Sequence, residues 1–319
     1  VSAAARVRSA CASRANVSAI AQKRVSNAAF AASWAVQETL SRLWHYEGVR
    51  DVLKTPLVAT QQGLSTGVPG FTALADSEWA RRFALAREPD PDGARGPRLW
   101  YLLAELGYML EPLRRLYRSL FKPFRIAKAS HPRMVMVLPG FGTNPIKMRY
   151  FARRLEDAGH TVKRWGCGYN WGFSEDLFEQ LEERLLDLRA RAGEPVVLVG
   201  WSLGGLYARE LAKRQPDAVA KVISMGSPFS GSLRANNVWR IYQAVAGHRI
   251  ADVKLAAQLS RKPPVETVAL WSPRDGAISP RSAAGYPGER DRAVALRCSH
   301  MGFSYSPEAI CAVAREIDD

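Results

Sequence analysis

A serine lies between glycines in the segment 200–205 (GWSLGG), which has the spacing Gly-x-Ser-x-Gly. The preceding residues are apolar and β-branched, as in a buried strand, and the following residues have a helical pattern. Glycines at these positions permit a tight turn from strand to helix, which lifts the serine hydroxyl out of the sheet. The N-terminus of the following helix also favours negative charge beside the serine. We therefore predict that Ser202 is a nucleophile.

A serine hydroxyl is a weak nucleophile and needs a base within hydrogen-bond distance. Two histidines follow Ser202, namely His248 and His300. Where a serine is presented on such a turn, the acid and then the histidine follow it along the chain. His248 precedes the last two predicted strands, whereas His300 lies two residues after the last of them. The sequence therefore predicts His300 as the general base.

The acid that orients such a histidine is expected after the penultimate strand. The predicted strand 265–271 is followed by the turn 272–276 (SPRDG), in which Asp275 precedes a glycine. Asp275 is therefore the predicted acid. Glu289 and Asp291 remain alternatives, although they lie nearer the final strand.

Backbone donors are expected in the segment 138–142 (LPGFG), which ends the first predicted strand. An oxyanion that forms on the substrate takes one N–H group from this loop and one from the residue after the nucleophile. We expect these donors to be the N–H groups of Phe141 and Leu203, with Gly142 as the alternative to Phe141. We find no motif for a cofactor or a metal ion, since the four cysteines are scattered.

Strands and helices alternate from residue 134 onwards, which predicts an α/β fold with a mostly parallel sheet and helices on both faces. The predicted strands are 134–138, 161–165, 195–200, 219–225, 265–271 and 293–298, and the predicted helices are 145–158, 177–192, 203–214 and 307–317. Segment 231–262 interrupts the alternation with two helical stretches. We predict that this insertion is a small helical cap above the carboxyl edge of the sheet.

The first part of the chain is poorly organised. The segment 88–97 (EPDPDGARGP) is typical of a linker, so we predict an N-terminal extension over 1–96, partly flexible, and a catalytic domain over 97–319. Residues 1–37 contain five basic residues and no acidic one. They are expected to form a flexible or loosely helical leader, with an organellar targeting sequence as the alternative. Without such targeting we expect a cytoplasmic protein.

Residues 99–128 combine leucines at helical spacing with many basic side chains. Pro112 is expected to kink or divide this helix, because proline has no N–H group to donate. Seven basic residues, Arg98, Arg114, Arg115, Arg118, Lys122, Arg125 and Lys128, lie in or next to the segment, against Glu105 and Glu111. The leucine face is expected either to pack on the sheet or to contact an anionic membrane peripherally.

The formal net charge of +15 raises the question of a nucleic-acid partner. We find no nucleic-acid-binding motif and expect no such partner. No run of about 18 uncharged apolar residues, the length that crosses a membrane, occurs in the chain. The composition leaves the oligomeric state open.

Residues from about 99 to 319 resemble the α/β-hydrolase superfamily, and specifically its bacterial esterase and lipase branch. LPGFG resembles the oxyanion loop of that branch, with Pro139 where histidine is common, and GWSLGG resembles its nucleophile elbow, with Trp201 where histidine is common. Segment 225–231 (MGSPFSG) resembles a lipase strand end, also without the usual histidine. The resemblance implies an α/β-hydrolase fold, a catalytic triad of the residues predicted above and a lipase-like serine esterase activity.

Three functions compete at this point. The favoured one is hydrolysis of a small-molecule or lipid ester through an acyl-enzyme on Ser202. A thioesterase or an acyltransferase would use the same residues and is the alternative. A non-catalytic binding protein on a hydrolase fold is the third hypothesis. Epoxide hydrolases and haloalkane dehalogenases use an aspartate nucleophile, so Ser202 argues against both.

Overall fold

The computed structural model describes residues 78–121, 124–253 and 258–319. These residues form two units, one of which contains residues 109–121 and the other the remaining described residues. The larger unit contains the sheet and every residue that we predict to take part in chemistry. The predicted leader at residues 1–37 lies outside the described residues.

Six parallel strands form one sheet in the order β2-β1-β3-β4-β5-β6. The strands are β1 (Met134–Leu138), β2 (Thr161–Arg164), β3 (Val196–Trp201), β4 (Val219–Met225), β5 (Glu266–Trp271) and β6 (Arg292–Ala295). All six predicted strands are present. The largest difference is in β6, which ends three residues before its predicted end. Among the described strands β6 pairs only with β5, and after β6 the chain continues into the loop of His300.

The α-helices of the described part lie before, between and after the strands. They are α1 (Glu78–Ala86), α2 (Leu99–Ala104), α3 (Glu111–Phe121), α4 (Arg149–Ala158), α5 (Glu175–Ala192), α6 (Leu203–Arg214), α7 (Trp239–Ala246), α8 (Pro280–Ala284) and α9 (Pro307–Asp318). The prediction missed α1 and α8. It also began α4 four residues too early, because residues 145–148 form turns ahead of the helix.

The sheet is covered on both faces, because successive side chains of a strand point to opposite sides. On β1, Val135 and Val137 belong to one buried cluster with Phe151 of α4. Met136 on the same strand belongs to a second buried cluster with Leu181 of α5. The predicted α/β architecture is therefore confirmed.

Since all strands are parallel, their carboxyl ends lie along one edge of the sheet. The loops that leave β1, β3, β4 and β5 at this edge contain the predicted oxyanion loop, Ser202, the 225–231 segment and Asp275 respectively. The chain that follows β6 carries His300. The topology thus places residues from distant parts of the sequence beside one another.

The segment 231–262, predicted as a cap, contains the helix α7 and a short 3₁₀-helix at Ile250–Asp252. An isolated antiparallel bridge joins Asn236 to Ile278. The predicted pattern of two helical stretches without a strand is therefore present in the described part of this segment; residues 254–257 are outside it.

Helix α1 and the segment after it are bonded to the C-terminal end of α7. Arg81 donates to the carbonyl of Gly247 (2.6 Å) and Arg82 to that of Val245 (2.7 Å). These guanidinium groups satisfy carbonyls that have no partner within the helix. Gln243 of α7 also donates to the carboxylate of Glu88 (2.8 Å). The domain boundary at residue 96 stays a prediction, but these contacts hold residues 81–88 against the cap segment.

The leucine-rich segment is divided near Pro112, as predicted. Helix α2 continues as a 3₁₀-helix at Glu105–Leu110, and α3 begins at Glu111 with Pro112 in its first turn. Proline is tolerated there because the first N–H groups of a helix need no intrahelical acceptor. No helix among residues 78–121, 124–253 and 258–319 combines the length and the apolar character needed to cross a membrane.

Candidate active site

Ser202 occupies the single position between β3 and α6, and its backbone is strained. Its φ of 54° and ψ of −120° make it the sole non-glycine residue with positive φ among the described residues. Strain of this kind persists only where the surrounding structure enforces it. Gly204 packs directly against the carbonyl of Leu138, and Gly205 packs against the hydroxyl of Ser227, so neither position has room for a side chain. The glycines of GWSLGG are therefore required by packing at this turn.

The structure brings Asp275 and His300 together. Nδ1 of His300 lies 2.8 Å from Oδ2 of Asp275, and both side chains are buried. The other carboxylate oxygen, Oδ1, accepts hydrogen bonds from the N–H groups of Ala277 (2.9 Å) and Ile278 (2.7 Å). An ionised carboxylate only accepts, so Nδ1 carries a proton and Nε2 is the nitrogen available to act as a base.

The environment of His300 raises the pKa of its imidazole above the ordinary value. Burial is the largest single influence and lowers that pKa, because it disfavours the charged ring. The charge and the hydrogen bond of Asp275, together with the charge of Glu105, outweigh burial. Trp201 and Phe303 provide the aromatic surroundings of the ring. Two carboxylates therefore stabilise an imidazolium at this position.

The alternative residues of the sequence analysis make other contacts. Glu289 accepts a hydrogen bond from the N–H of Tyr286, and Asp291 accepts one from the N–H of Thr267. Neither is bonded to His300 in the described part of the chain. His248 lies in the cap segment with its ring against that of Tyr242, 5.6 Å between centroids. The structure thus pairs Asp275, and neither alternative carboxylate, with His300.

Gly226 provides the space in which the acid and the histidine meet. Its φ is +55°, and a Cβ at this position would lie 3.0 Å from Oδ2 of Asp275, 3.1 Å from Nδ1 of His300 and 2.9 Å from the ring of Phe303. Sequence reasoning identified the 225–231 segment through its resemblance to a lipase strand end, but not the role of this glycine. The requirement appears only when β4 is packed beside the other two loops.

Ser202 is connected to His300 through neighbouring groups. The indole N–H of Trp201 donates to the backbone carbonyl of His300 (3.1 Å), and the two rings lie 5.7 Å apart. The N–H of Ser202 donates to the carbonyl of Met225 (2.8 Å), the residue before Gly226. Among the described residues Ser202 Oγ has no hydrogen-bond partner. The hydrogen bond between a catalytic serine and its histidine is often long in a free enzyme and shortens when substrate binds.

The backbone N–H groups of the predicted oxyanion donors, Phe141 and Leu203, are bonded differently from that of the alternative donor, Gly142. The N–H of Gly142 donates to the carbonyl of Asn170 (2.7 Å), so it is already occupied. The N–H of Phe141 has no acceptor among the described residues. Leu203 is the first residue of α6, where an N–H group has no intrahelical acceptor. This bonding favours Phe141 over Gly142.

Asn170 fixes the shape of the 139–143 loop, and the sequence analysis did not identify it. Its side-chain N–H₂ donates to the carbonyl of Pro139 (2.8 Å), and its backbone N–H donates to that of Thr143 (2.9 Å). The hydroxyl of Tyr207 donates to its side-chain oxygen (3.2 Å). Asn170 is fully buried and lies after β2, so no local motif marks it as a partner of this loop.

An apolar pocket with about 620 Å³ of empty space, partly open to solvent, lies over Ser202. Its lining includes Phe141, Leu206, Trp239, Tyr242, Ile250 and Leu259. These six side chains come from the predicted oxyanion loop, α6 and the cap segment, and Asn236 is one of few polar side chains in the lining. A pocket of this composition binds apolar rather than charged groups.

The cysteine nearest His300 in the sequence is not a competing nucleophile at neutral pH. Cys298 is buried, and burial raises the pKa of its thiol to about 12. The thiol therefore stays protonated. Among the described residues no group of three or more His, Cys, Asp or Glu side chains is arranged to hold a metal ion.

A family model described as "Alpha/beta hydrolase family" matches residues 134–315. Among curated proteins, the pimeloyl-[acyl-carrier protein] methyl ester esterase of Sodalis glossinidius is 33% identical over 97 residues, or 30% of this chain and 37% of that protein. The protein of the same description from Vibrio cholerae is 29% identical over 131 residues, or 39% of this chain and 49% of that protein. The chain thus spans less than half the length of these two curated relatives.

Two solved structures are similar at low sequence identity. A structure reported for the metagenome-derived lipolytic enzymes LipS and LipT has a TM-score of 0.46 at 16% identity and covers 61% of this chain and 98% of its own. Polyneuridine aldehyde esterase has a TM-score of 0.42 at 14% identity and covers 59% of this chain and 100% of its own.

Proposed function

The chain belongs to the alpha/beta hydrolase family, and we propose that it hydrolyses carboxylic esters through an acyl-enzyme formed on Ser202. The observation that carries the proposal is the buried Asp275–His300 pair, 2.8 Å apart, at the sheet edge where the strained turn presents Ser202. The partial similarity to methyl ester esterases supports a hydrolase that acts on esters.

In the first half of the reaction, Oγ of Ser202 attacks the ester carbonyl carbon. Nε2 of His300 accepts the serine proton, because Nδ1 is committed to Asp275. The negative charge of Asp275 stabilises the imidazolium that forms. The imidazolium then gives its proton to the alcohol oxygen as the carbon–oxygen bond breaks, which releases the alcohol and leaves the acyl group on Ser202.

The negative charge that develops on the carbonyl oxygen requires fixed donors. We place this oxygen between the N–H groups of Phe141 and Leu203, which have no other acceptor among the described residues. Loss of a donor of this kind typically costs about 10²- to 10³-fold in kcat. Asn170 and the N–H of Gly142 hold the loop in shape, so the Phe141 donor is oriented before substrate arrives.

The second half of the reaction uses the same residues in the reverse direction. His300 removes a proton from water, and the resulting hydroxide attacks the acyl carbonyl carbon. The bond to Ser202 Oγ breaks, the imidazolium returns the proton to the serine, and a carboxylic acid leaves. The apolar pocket is suited to the acyl part of the substrate, so we propose neutral, apolar acyl groups.

Hydrolysis of p-nitrophenyl esters of increasing chain length tests the proposal. Ser202→Ala should lose activity by several orders of magnitude and should no longer react with a fluorophosphonate probe. Ser232→Ala is the matched control, because Ser232 is partly exposed, lies in the cap segment and bonds to Asp92 and to its own backbone neighbours. Near-normal turnover by a folded Ser202→Ala preparation, free of contaminating esterase, would remove the proposal.

We further propose that the 99–128 segment contacts anionic lipid surfaces peripherally, with a lipid ester as substrate. Within residues 99–108, four large apolar side chains, Leu99, Trp100, Leu103 and Leu106, are exposed, Trp100 to 74%. Exposed apolar side chains on a chain with a net charge of +15 suit a surface that is both apolar and anionic.

Co-sedimentation with anionic vesicles at low and high salt tests this contact. Arg115 and Arg118 are both bonded to Glu111, so the apolar side chains are the better target for mutation. The unaltered protein should bind anionic vesicles at low salt and dissociate from them at high salt. Trp100→Ser should bind the vesicles more weakly than the unaltered protein at low salt. Absence of binding at low salt would refute the contact and leave ester hydrolysis untouched.

A further inference from the structure

The carboxylate of Glu105 bonds to both loops that carry the acid and the histidine. Oε1 accepts from the N–H of His300 (2.6 Å) and from the N–H of Gly276 (3.1 Å), and Oε2 accepts from the N–H of Met301 (2.9 Å). Gly276 directly follows Asp275. The side chain of Glu105 therefore links the backbone of His300 to that of Gly276, the residue after Asp275.

The segment that carries Glu105 is seated tightly on the acid loop. Gly276 lies directly against the backbone carbonyl of Tyr101, one turn before Glu105, and leaves no room for a side chain there. Glu105 lies outside residues 134–315, the part of the chain that the family model matches. The contact thus comes from the N-terminal side of the matched part of the chain.

The backbone of His300 is held at both of its polar atoms. Glu105 accepts from its N–H group, and the indole N–H of Trp201 donates to its carbonyl oxygen (3.1 Å). Trp201 directly precedes Ser202, so these bonds connect the histidine backbone to the serine turn as well as to the acid loop. Hydrogen bonds to an ionised carboxylate are the strong ones in proteins, which makes Glu105 the firmer of the two attachments.

We propose that Glu105 is a positioning residue for the reaction of Ser202: its carboxylate fixes the acid loop and the histidine loop relative to each other. This proposal rests on the proposed ester hydrolase function. The bonds of Glu105 to this site go to backbone N–H groups, so in this proposal it acts through the placement of His300 and through its charge. A misplacement of about 1 Å at a catalytic group can cost about 100-fold in rate.

A purely structural role would also account for the bonds, because a carboxylate at Met301 caps the short 3₁₀-helix Met301–Ser304. The two roles differ in what they do to His300. Asp275 and Glu105 are the charged groups that act on its imidazole, and both favour the protonated ring. Loss of the Glu105 charge should therefore lower the pKa of His300, whereas loss of a helix cap alone should not.

The experiment compares Glu105→Gln, Glu105→Asp and the matched control Asp318→Asn. Asp318 also accepts from two backbone N–H groups, those of Ser130 and His131, but at the opposite end of the sheet. For each variant, kcat and KM on a p-nitrophenyl ester are measured across pH. The pKa of the His300 imidazole is measured separately by NMR in a Ser202→Ala background, which needs no turnover.

Glu105→Gln is expected to lower kcat by about 10- to 100-fold with little change in KM, and to lower the pKa of His300. Glu105→Asp keeps the charge and should restore that pKa towards its original value, while Asp318→Asn should change neither quantity. An unchanged kcat and an unchanged His300 pKa in Glu105→Gln would overturn the proposal, as would equal effects from Asp318→Asn.

The failure of this proposal and that of the proposed function give different results. If the unaltered protein neither hydrolyses esters nor reacts with a fluorophosphonate, the proposed function fails. If it does both and Glu105→Gln behaves like the unaltered protein, the positioning role fails alone. The melting temperature of each variant shows whether a loss of kcat arises from unfolding.

Discussion

Replacement of Asp275 by asparagine is the substitution whose outcome the structure defines most closely. Oδ1 of Asp275 accepts from two backbone N–H groups, those of Ala277 and Ile278, while Oδ2 faces Nδ1 of His300. An asparagine has one oxygen and one N–H₂ group. The two backbone donors require the oxygen, so the N–H₂ group must face His300.

This forced orientation reverses the hydrogen bond to His300. An N–H₂ donor facing Nδ1 requires that Nδ1 be an acceptor, so the proton of the neutral imidazole moves to Nε2. Nε2 is the nitrogen that must accept the serine proton. The same change in a serine protease triad lowers kcat by about 10⁴-fold, and we expect a similar loss for Asp275→Asn. A loss of about 10⁴-fold corresponds to about 5.4 kcal/mol, at about 1.36 kcal/mol per tenfold.

The assay is steady-state hydrolysis of a p-nitrophenyl ester, with urea denaturation as the check on folding. Because the side-chain oxygen of the introduced asparagine would still accept from both backbone donors, the free energy of unfolding should change little. Asp291→Asn is the matched control: Asp291 accepts from the N–H of Thr267 and was the alternative acid. Retained activity in Asp275→Asn, with activity lost in Asp291→Asn, would refute the reasoning.

Three further predictions follow from the site and from the N-terminal contacts. Because the pKa of His300 is raised above its ordinary value of about 6.5, kcat/KM should fall as pH drops through that raised pKa; a flat profile from about pH 5 to 9 would contradict a histidine base. Gly226→Ala should lower the free energy of unfolding by about 1–2 kcal/mol and remove most activity, because the Cβ of the alanine would push the acid away from the histidine. Gly193→Ala is the control: Gly193 has a φ of +72° and open space around it, so this change should lower stability but leave activity unchanged. A chain of residues 97–319 contains the proposed catalytic residues but lacks the contacts of Arg81 and Arg82 to α7. It should therefore melt at a lower temperature than a chain of residues 78–319. Equal melting temperatures would show that those contacts add no stability.

Short-range patterns in the sequence were enough to define the frame of the molecule. The strand-to-helix turn at Ser202 follows from glycine spacing over six residues, and the parallel sheet follows from the alternation of apolar strands with helices. These features depend on neighbours within a few residues, which is the range over which periodicity and backbone preference act. Chain order then indicated Asp275 and His300, because each follows a recognisable strand.

Tertiary structure decided how those residues are held. Glu105 bonds to His300 across 195 positions of sequence, and the carbonyl of Asn170 accepts from the N–H of Gly142, which is why we propose Phe141 rather than Gly142 as the oxyanion donor. The need for glycine at position 226 likewise arises only where the loops after β4 and β5 meet the chain after β6. Contacts of this kind join segments with no shared local pattern. They exist because the parallel sheet gathers its carboxyl ends at one edge, where packing and hydrogen-bond geometry, rather than residue spacing, select the partners.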